Sequence, residues 1–66
     1  MSEVEKQIII AFAECDMSVS KVAIKLSYHI NTIYWYLGRI YEKTNLNPRK
    51  FYDLIKLLKE AQPNEN

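Results

Sequence analysis

Hydrophobic side chains recur along most of the chain at spacings of three and four residues, which is the period of an α-helix. The first set predicts a helix that ends near Asp16. Its members are Val4, Ile8, Ala11, Phe12 and Cys15. Ser18 is a residue type that favours helix N-caps, and it precedes a second, shorter helical pattern. The apolar face of this second helix consists of Val19, Val22, Ala23 and Leu26.

A third helix follows with the same period. It begins near Asn31 and Thr32, whose side-chain oxygens are suited to capping free backbone N–H groups. It ends around Asn45, a residue type that tolerates the left-handed backbone conformation common just past a helix end. Its predicted inward residues are Ile33, Leu37 and Ile40.

The chain then predicts a fourth helix, with Asn47 as N-cap and Pro48 as first residue. Its predicted inward residues are Phe51, Leu54, Ile55, Leu58 and Ala61. No stretch alternates with the period of a β-strand. We therefore predict an all-α fold, a small four-helix domain over residues 1–61, followed by a disordered tail at 62–66.

Only a few residues separate the second and third patterns, so the two helices should meet at a sharp angle. A short helix, a tight turn and a longer helix with polar residues at its start form a helix-turn-helix, whose second helix lies in the DNA major groove. Ala23 favours this arrangement because its small side chain lets the two helices cross closely. Helical bundles without DNA partners share the spacing, so the pattern by itself leaves both interpretations open.

The composition is typical of one globular domain with a small core. The chain has 66 residues, of which 48% are hydrophobic and 26% charged. Dimerisation would be a natural source of further stability at this size. The longest apolar run, residues 8–13, is too short to cross a bilayer, and no secretory leader pattern is present. We expect a cytoplasmic protein with no membrane partner.

The sequence contains few residues that could catalyse a reaction or bind a metal ion. Cys15 is the one cysteine and His29 the one histidine, so no internal disulfide can form and we expect no metal site. We interpret Cys15 as a small buried hydrophobe on the first helix. No nucleophile is paired with a base and no Gly-rich phosphate loop occurs, so we expect neither an enzyme nor a cofactor.

Charge is distributed unevenly along the chain. From Met17 to Lys50, six basic residues and one acid give a net +5; one lysine against four acids before this segment gives −3, and two lysines against three acids after it give −1. Local charge of this kind can attract a duplex although the total is only +1. The six basic residues are Lys21, Lys25, Arg39, Lys43, Arg49 and Lys50. All of them except Arg39 are interpreted as either phosphate contacts or ordinary solvated charges.

The segment VAIKLSYHINTIYWYLGRIYEKTNLN, from Val22 to Asn47, resembles the C-terminal helix-turn-helix domain of PucR/CdaR-type bacterial transcription regulators. The signature of that family runs A-x-x-L-x-x-H-R-N-T-L-x-Y-R-L-x-R-I-x-x-x-T-G-L. The matching residues are Ala23, Leu26, His29, Asn31, Thr32, Leu37, Arg39, Ile40, Thr44 and Leu46, with Ile33 and Trp35 as conservative replacements. The resemblance covers nearly the whole chain and implies a stand-alone DNA-binding module.

Several positions of the third helix depart from the family pattern. Ile30 and Tyr36 stand where the family usually has arginine, and Tyr34 occupies another position that is often basic. These replacements remove phosphate and guanine contacts, and each lost phosphate contact lowers the salt slope by about 0.9. Asn45 replaces the family glycine and still suits a left-handed helix end. Gly38 costs about 1 kcal/mol relative to alanine, and the sequence assigns it no role.

The candidate DNA-binding residues are Lys21, Lys25, Ser27, Tyr28, His29, Asn31, Thr32, Tyr34, Trp35, Arg39 and Lys43. Several have a structural interpretation beside the functional one. His29, Asn31 and Thr32 contact DNA, cap the third helix, or do both. For Trp35 we favour a partly buried packing role, with Arg39 one turn later at cation–π distance.

We therefore predict a DNA-binding protein, a transcription regulator that reads the major groove of double-stranded DNA with the helix of about residues 30–43. A homodimer reading half-sites about one helical turn apart is the usual arrangement. The alternative is a protein-interaction or dimerisation module in which Ile30, Tyr34 and Tyr36 form an exposed patch that binds another protein. Side chains ringed by lysine and arginine favour DNA, and side chains paired across a dimer axis favour the alternative.

Overall fold

The computed structural model describes residues 1–62, which form four α-helices without a strand and confirm the predicted all-α class. The helices are α1 (Glu3–Glu14), α2 (Val19–Leu26), α3 (Ile30–Thr44) and α4 (Phe51–Ala61). None of these helices is long and apolar enough to span a membrane. Of the predicted tail, Gln62 is the C-cap residue of α4, and residues 63–66 lie outside the described part of the chain.

Local hydrogen bonds explain where the helices begin and end. Ser2 and Glu5 form a reciprocal capping box on α1: the Glu5 N–H donates to Ser2 Oγ at 3.2 Å, and the Ser2 N–H donates to Glu5 Oε1 at 2.9 Å. Ser18 caps α2 as predicted, its Oγ accepting from the Lys21 N–H at 3.3 Å. The predicted end of α3 is also confirmed, because Asn45 is left-handed with φ 61°.

The predicted start of α4 at Asn47 and Pro48 is wrong. The Asn47 carbonyl accepts from the N–H three residues later at 2.9 Å, and Asn47 Oδ1 accepts from the Arg49 N–H at 2.9 Å, so these residues form a turn. Proline suits the second position of such a turn as well as the first residue of a helix, and the two signals look alike. Phe51 is the first residue of α4 and is 60% exposed, so the prediction that it points inward is wrong. Leu57, which the pattern does not assign to the inward face, is fully buried.

α1 is central to the packing because it contacts each of the other three helices. α2 also packs against α3, whereas α4 packs against α1. The most completely buried hydrophobic side chains come from all four helices: Ile8, Ile9, Phe12, Val22, Ile33, Ile40 and Leu57. Burial of each large side chain stabilises the fold by about 1.5–3 kcal/mol. The side of α3 that points away from this core is covered by no other described helix.

Candidate nucleic-acid interface

A three-residue turn, Ser27 to His29, joins α2 to α3. Ser27 adopts the left-handed conformation with φ 60° and ψ 40°. The Tyr28 N–H donates to the Ala23 carbonyl at 2.9 Å and so satisfies the last turn of α2 while the chain changes direction. Ala23 is itself buried, as expected for a small residue at the crossing of the two helices. The turn therefore has the length and compactness that the sequence predicts for a helix-turn-helix.

His29 caps the start of α3. Its Nδ1 accepts from the Asn31 N–H at 3.1 Å, so the imidazole takes the capping role that the sequence offered to three residues. The predicted capping of α3 by the side-chain oxygens of Asn31 and Thr32 is therefore wrong. The Asn31 side chain is exposed and that of Thr32 is half-buried. Asn31 thus remains available for a partner beyond the protein.

The outer face of α3 consists of Asn31, Tyr34, Trp35, Gly38 and Glu42, all exposed and spaced by three or four residues. Tyr34 is 45% exposed and Trp35 58% exposed, so the expectation of a partly buried Trp35 is wrong. No neighbouring helix reaches this side of α3 to cover the indole. The expected cation–π contact is confirmed, since Arg39 Cζ lies 5.4 Å from the Trp35 ring centroid.

Ile30 and Tyr36 do not belong to the outer face. Both are half-buried and pack against the core, and the Tyr36 ring lies 6.3 Å from that of Tyr28, centroid to centroid. The exposed patch of Ile30, Tyr34 and Tyr36 proposed from the sequence is therefore wrong for two of its three members. Ile30 and Tyr36 therefore extend the core and do not contribute to the outer face.

Glu5 is a buried carboxylate to which the sequence pattern assigns no role. Its side chain is 1% exposed, yet it lies 3.0 and 3.1 Å from Lys43 Nζ through its two oxygens and 3.4 Å from Arg39 Nε. Burial acts to raise the pKa of Glu5, but the Ser2 backbone N–H, Lys43 and Arg39 together hold that pKa below its ordinary value. Two candidate DNA-binding cations are thus already paired within the protein.

The remaining candidate cations are on α2. Lys25 Nζ lies 3.8 Å from Glu14 Oε1 in an exposed ion pair. Such a pair contributes little to stability, so Lys25 can exchange Glu14 for another anion. Lys21 is exposed and has no ion pair within 4.0 Å among residues 1–62. Lys43 is about 18 Å along α3 from Asn31, at the helical rise per residue, so the structure does not bring it together with the first turn of α3.

Arg49 approaches the outer face from a different element. It lies in the turn before α4, and its Cζ is 5.5 Å from the ring centroid of Tyr34. The sequence indicates Arg49 only as one of the basic residues of the central segment, with no contact to α3. The turn from Asn47 to Lys50 brings the Arg49 guanidinium close to α3. Both exposed aromatic residues near the start of α3 are therefore accompanied by an arginine.

Comparison with known proteins gives no match: no family model, no curated protein and no solved structure matches the chain. The resemblance to PucR/CdaR-type regulators accordingly stays a prediction that rests on the motif residues themselves.

Proposed function

We propose that the protein binds double-stranded DNA through α3, as a small helix-turn-helix transcription regulator. The observation that carries this proposal is the arrangement of α2 and α3 across a three-residue turn, with the outer face of α3 left uncovered. The 15-residue α3 is about 22 Å long, and the major groove, about 12 Å wide, admits a helix of this kind. The geometry therefore suits insertion of the N-terminal half of α3.

The side chains around the first turns of α3 have the chemistry for this role. Exposed Asn31 can donate to and accept from adenine at the same time through its amide. Lys21 and Lys25 on α2 are exposed and would contact phosphates, and the hydroxyl of Ser27 can add a neutral hydrogen bond. Tyr34 carries a further donor at the outer face. In this proposal α3 reads the bases while α2 and the turn hold the backbone.

The motif resemblance supports the same proposal and extends it. A regulator of the PucR/CdaR type would use α3 as the recognition helix, and a homodimer would place two copies of α3 about one helical turn of DNA apart. Binding to chromosomal DNA would locate the protein in the cytoplasm. Dimerisation would also add buried surface to a domain whose own core is small.

A second candidate function is a protein-interaction module. It is favoured by Trp35 on α3 and by Phe51 and Tyr52 on α4, which are large exposed side chains of the kind enriched at interfaces. However, Tyr34 and Trp35 each lie against an arginine, which is the surrounding expected for contact with DNA. We therefore rank protein interaction second.

Fluorescence anisotropy of a labelled random-sequence duplex, repeated at several salt concentrations, tests the proposed function. Each phosphate contact contributes about −0.9 to the slope of log affinity against log salt, so several contacts predict a steep negative slope. Lys21→Gln should reduce the steepness by about 0.9, whereas Lys59→Gln, the same charge change in the last turn of α4, should leave it unaltered.

Absence of binding at low salt would contradict the proposal. Sedimentation of wild type and Trp35→Ser would then test the second candidate, because loss of self-association in the variant would place the interface at the outer face of α3. Trp35 is the one tryptophan of the chain, so its fluorescence also reports whether the duplex reaches this face.

A further inference from the structure

Two of the clefts on the outer face of α3 share Tyr34 and Gly38 in their lining. The first, called here the Arg49 cleft, has a volume of about 230 Å³ and is lined by Tyr34, Leu37, Gly38, Tyr41, Asn47 and Arg49. The second, of about 270 Å³, is lined by Tyr34, Trp35, Gly38, Arg39 and Glu42. The Glu42 carboxylate lies only in the second cleft, and Arg39 is already paired with Glu5. Of these two clefts, the Arg49 cleft is therefore the one that favours an anion.

We propose that the Arg49 cleft holds one phosphate of the DNA backbone, at the edge of the groove that α3 enters. This inference rests on the proposed DNA-binding function and assigns a contact outside the helix-turn-helix itself. Arg49 would supply from the turn before α4 a guanidinium that the first turns of α3 lack, since Ile30 and Tyr36 point into the core.

The turn that carries Arg49 is held by hydrogen bonds on both sides. The Arg49 N–H donates to Asn47 Oδ1 at 2.9 Å, and the Asn47 N–H donates to Asp53 Oδ2, in the first turn of α4, at 3.0 Å. Pro48 between them is buried and has a restricted φ. The backbone of Arg49 is thus fixed before any ligand arrives, which lowers the conformational entropy lost on binding.

The Arg49 side chain is both placed and electrostatically available. It is exposed, it stacks on Tyr34, and it has no ion pair within 4.0 Å among residues 1–62. A planar guanidinium matches two phosphate oxygens, and stacking on a ring leaves its edge free to donate to them. The hydroxyl groups of Tyr34 and Tyr41 are further donors at the same cleft. No acidic residue within the described range 1–62 lines it.

Gly38 adds an independent argument. It lies in the interior of α3, where glycine is destabilising, and a Cβ built on it would meet no heavy atom within 4 Å. Packing within the described residues therefore does not require glycine here. A ligand that approaches the helix backbone closely would account for the glycine, because a side chain at this position would stand between the two clefts.

The test compares three variants by the same salt-dependent anisotropy measurement. Arg49→Gln should weaken binding several-fold and reduce the steepness of the salt slope by about 0.9. Lys56→Gln removes the same charge from an exposed residue of α4, outside the cleft, and should leave the slope unaltered. Arg49→Lys keeps the charge but loses the planar fork, so it should keep the slope and still bind more weakly than wild type. Circular dichroism confirms that each variant is folded.

The possible outcomes distinguish failure of this inference from failure of the proposed DNA-binding function on which it rests. Equal effects of Arg49→Gln and Lys56→Gln, or full affinity in Arg49→Lys, would overturn the Arg49 cleft as a phosphate site while wild-type binding still supported the helix-turn-helix proposal. Failure of the wild type to bind any duplex would overturn both.

Discussion

The Lys43 ammonium donates to both carboxylate oxygens of Glu5, at 3.0 and 3.1 Å, across 38 positions of sequence. Glu5 also accepts from the Ser2 backbone N–H, so the same carboxylate closes the capping box of α1 and joins α1 to α3. Arg39, one turn before Lys43, adds a third contact to α3. These contacts fix the rotation of α3 about its own axis, and hence the direction of its outer face.

Glu5→Ala should lower the free energy of unfolding by about 1–3 kcal/mol, because charged hydrogen-bond partners lose their acceptor. The loss stays below that of a fully buried pair because Arg39 and Lys43 are about half-exposed and can be rehydrated. Urea unfolding followed by circular dichroism measures the change. Glu14→Ala, which removes the exposed partner of Lys25, is the matched control and should change stability by less than about 1 kcal/mol. Equal losses in the two variants would contradict the importance assigned to Glu5.

The acid dependence of stability should also depend on Glu5. Burial raises its pKa, but the Ser2 N–H, Lys43 and Arg39 outweigh burial and leave the pKa lowered in the folded protein. A carboxyl with a lowered folded pKa contributes stability above its unfolded pKa, and this contribution is lost as the pH falls through the folded pKa. The stability difference between wild type and Glu5→Gln should therefore be largest near neutral pH and shrink in acid. A stability difference between wild type and Glu5→Gln that stays constant from neutral to acid pH would contradict this prediction.

His29 should stabilise the start of α3 through its Nδ1 acceptor. His29→Ala removes the acceptor for the Asn31 N–H and should cost about 1 kcal/mol in unfolding free energy. His29→Asn supplies a preferred capping oxygen at the same position and should recover most of that loss. If the alanine and asparagine variants unfold at the same urea concentration, His29 acts through something other than its cap.

Gly38→Ala should change stability and DNA binding in opposite directions. Alanine is the better helix former by about 1 kcal/mol, and its Cβ would meet no other group, so the unfolding temperature should rise. The same methyl group would stand between the two clefts and should weaken duplex binding in the anisotropy measurement. A variant that is more stable and binds equally well would remove the argument that a ligand approaches α3 at Gly38.

The four helices were predictable because their buried positions repeat with the helical period. Ile33, Leu37 and Ile40, for example, form one face of α3 in the pattern and in the structure. The start of α4 was not predictable in the same way, since Asn47 and Pro48 suit a turn and a helix start equally. Phe51 has the helical spacing of the predicted inward face and is nevertheless exposed, because α4 buries Leu54, Leu57 and Ala61. The approach of Arg49 to Tyr34 depends on the turn before α4.

The role of Glu5 could not be read from local sequence. An acidic residue in the first turn of a helix is ordinarily explained by capping and the helix dipole, and Glu5 fulfils that expectation. Its burial depends on Arg39 and Lys43, which are 34 and 38 positions later and become neighbours only when α3 folds against α1. The signal available in the sequence was their spacing of four, which places both cations on one side of α3.

The contact of α1 with all three other helices makes the described domain one cooperative unit. α3 cannot detach locally without exposing Ile33, Leu37 and Ile40 to water and leaving Glu5 without its cations. Amide protons in the middle of α3 should therefore exchange with solvent only when the whole domain opens. In the proposed function, such a surface would reach DNA already rigid, and its specificity would depend on a shape set before the encounter instead of on a helix that folds during it.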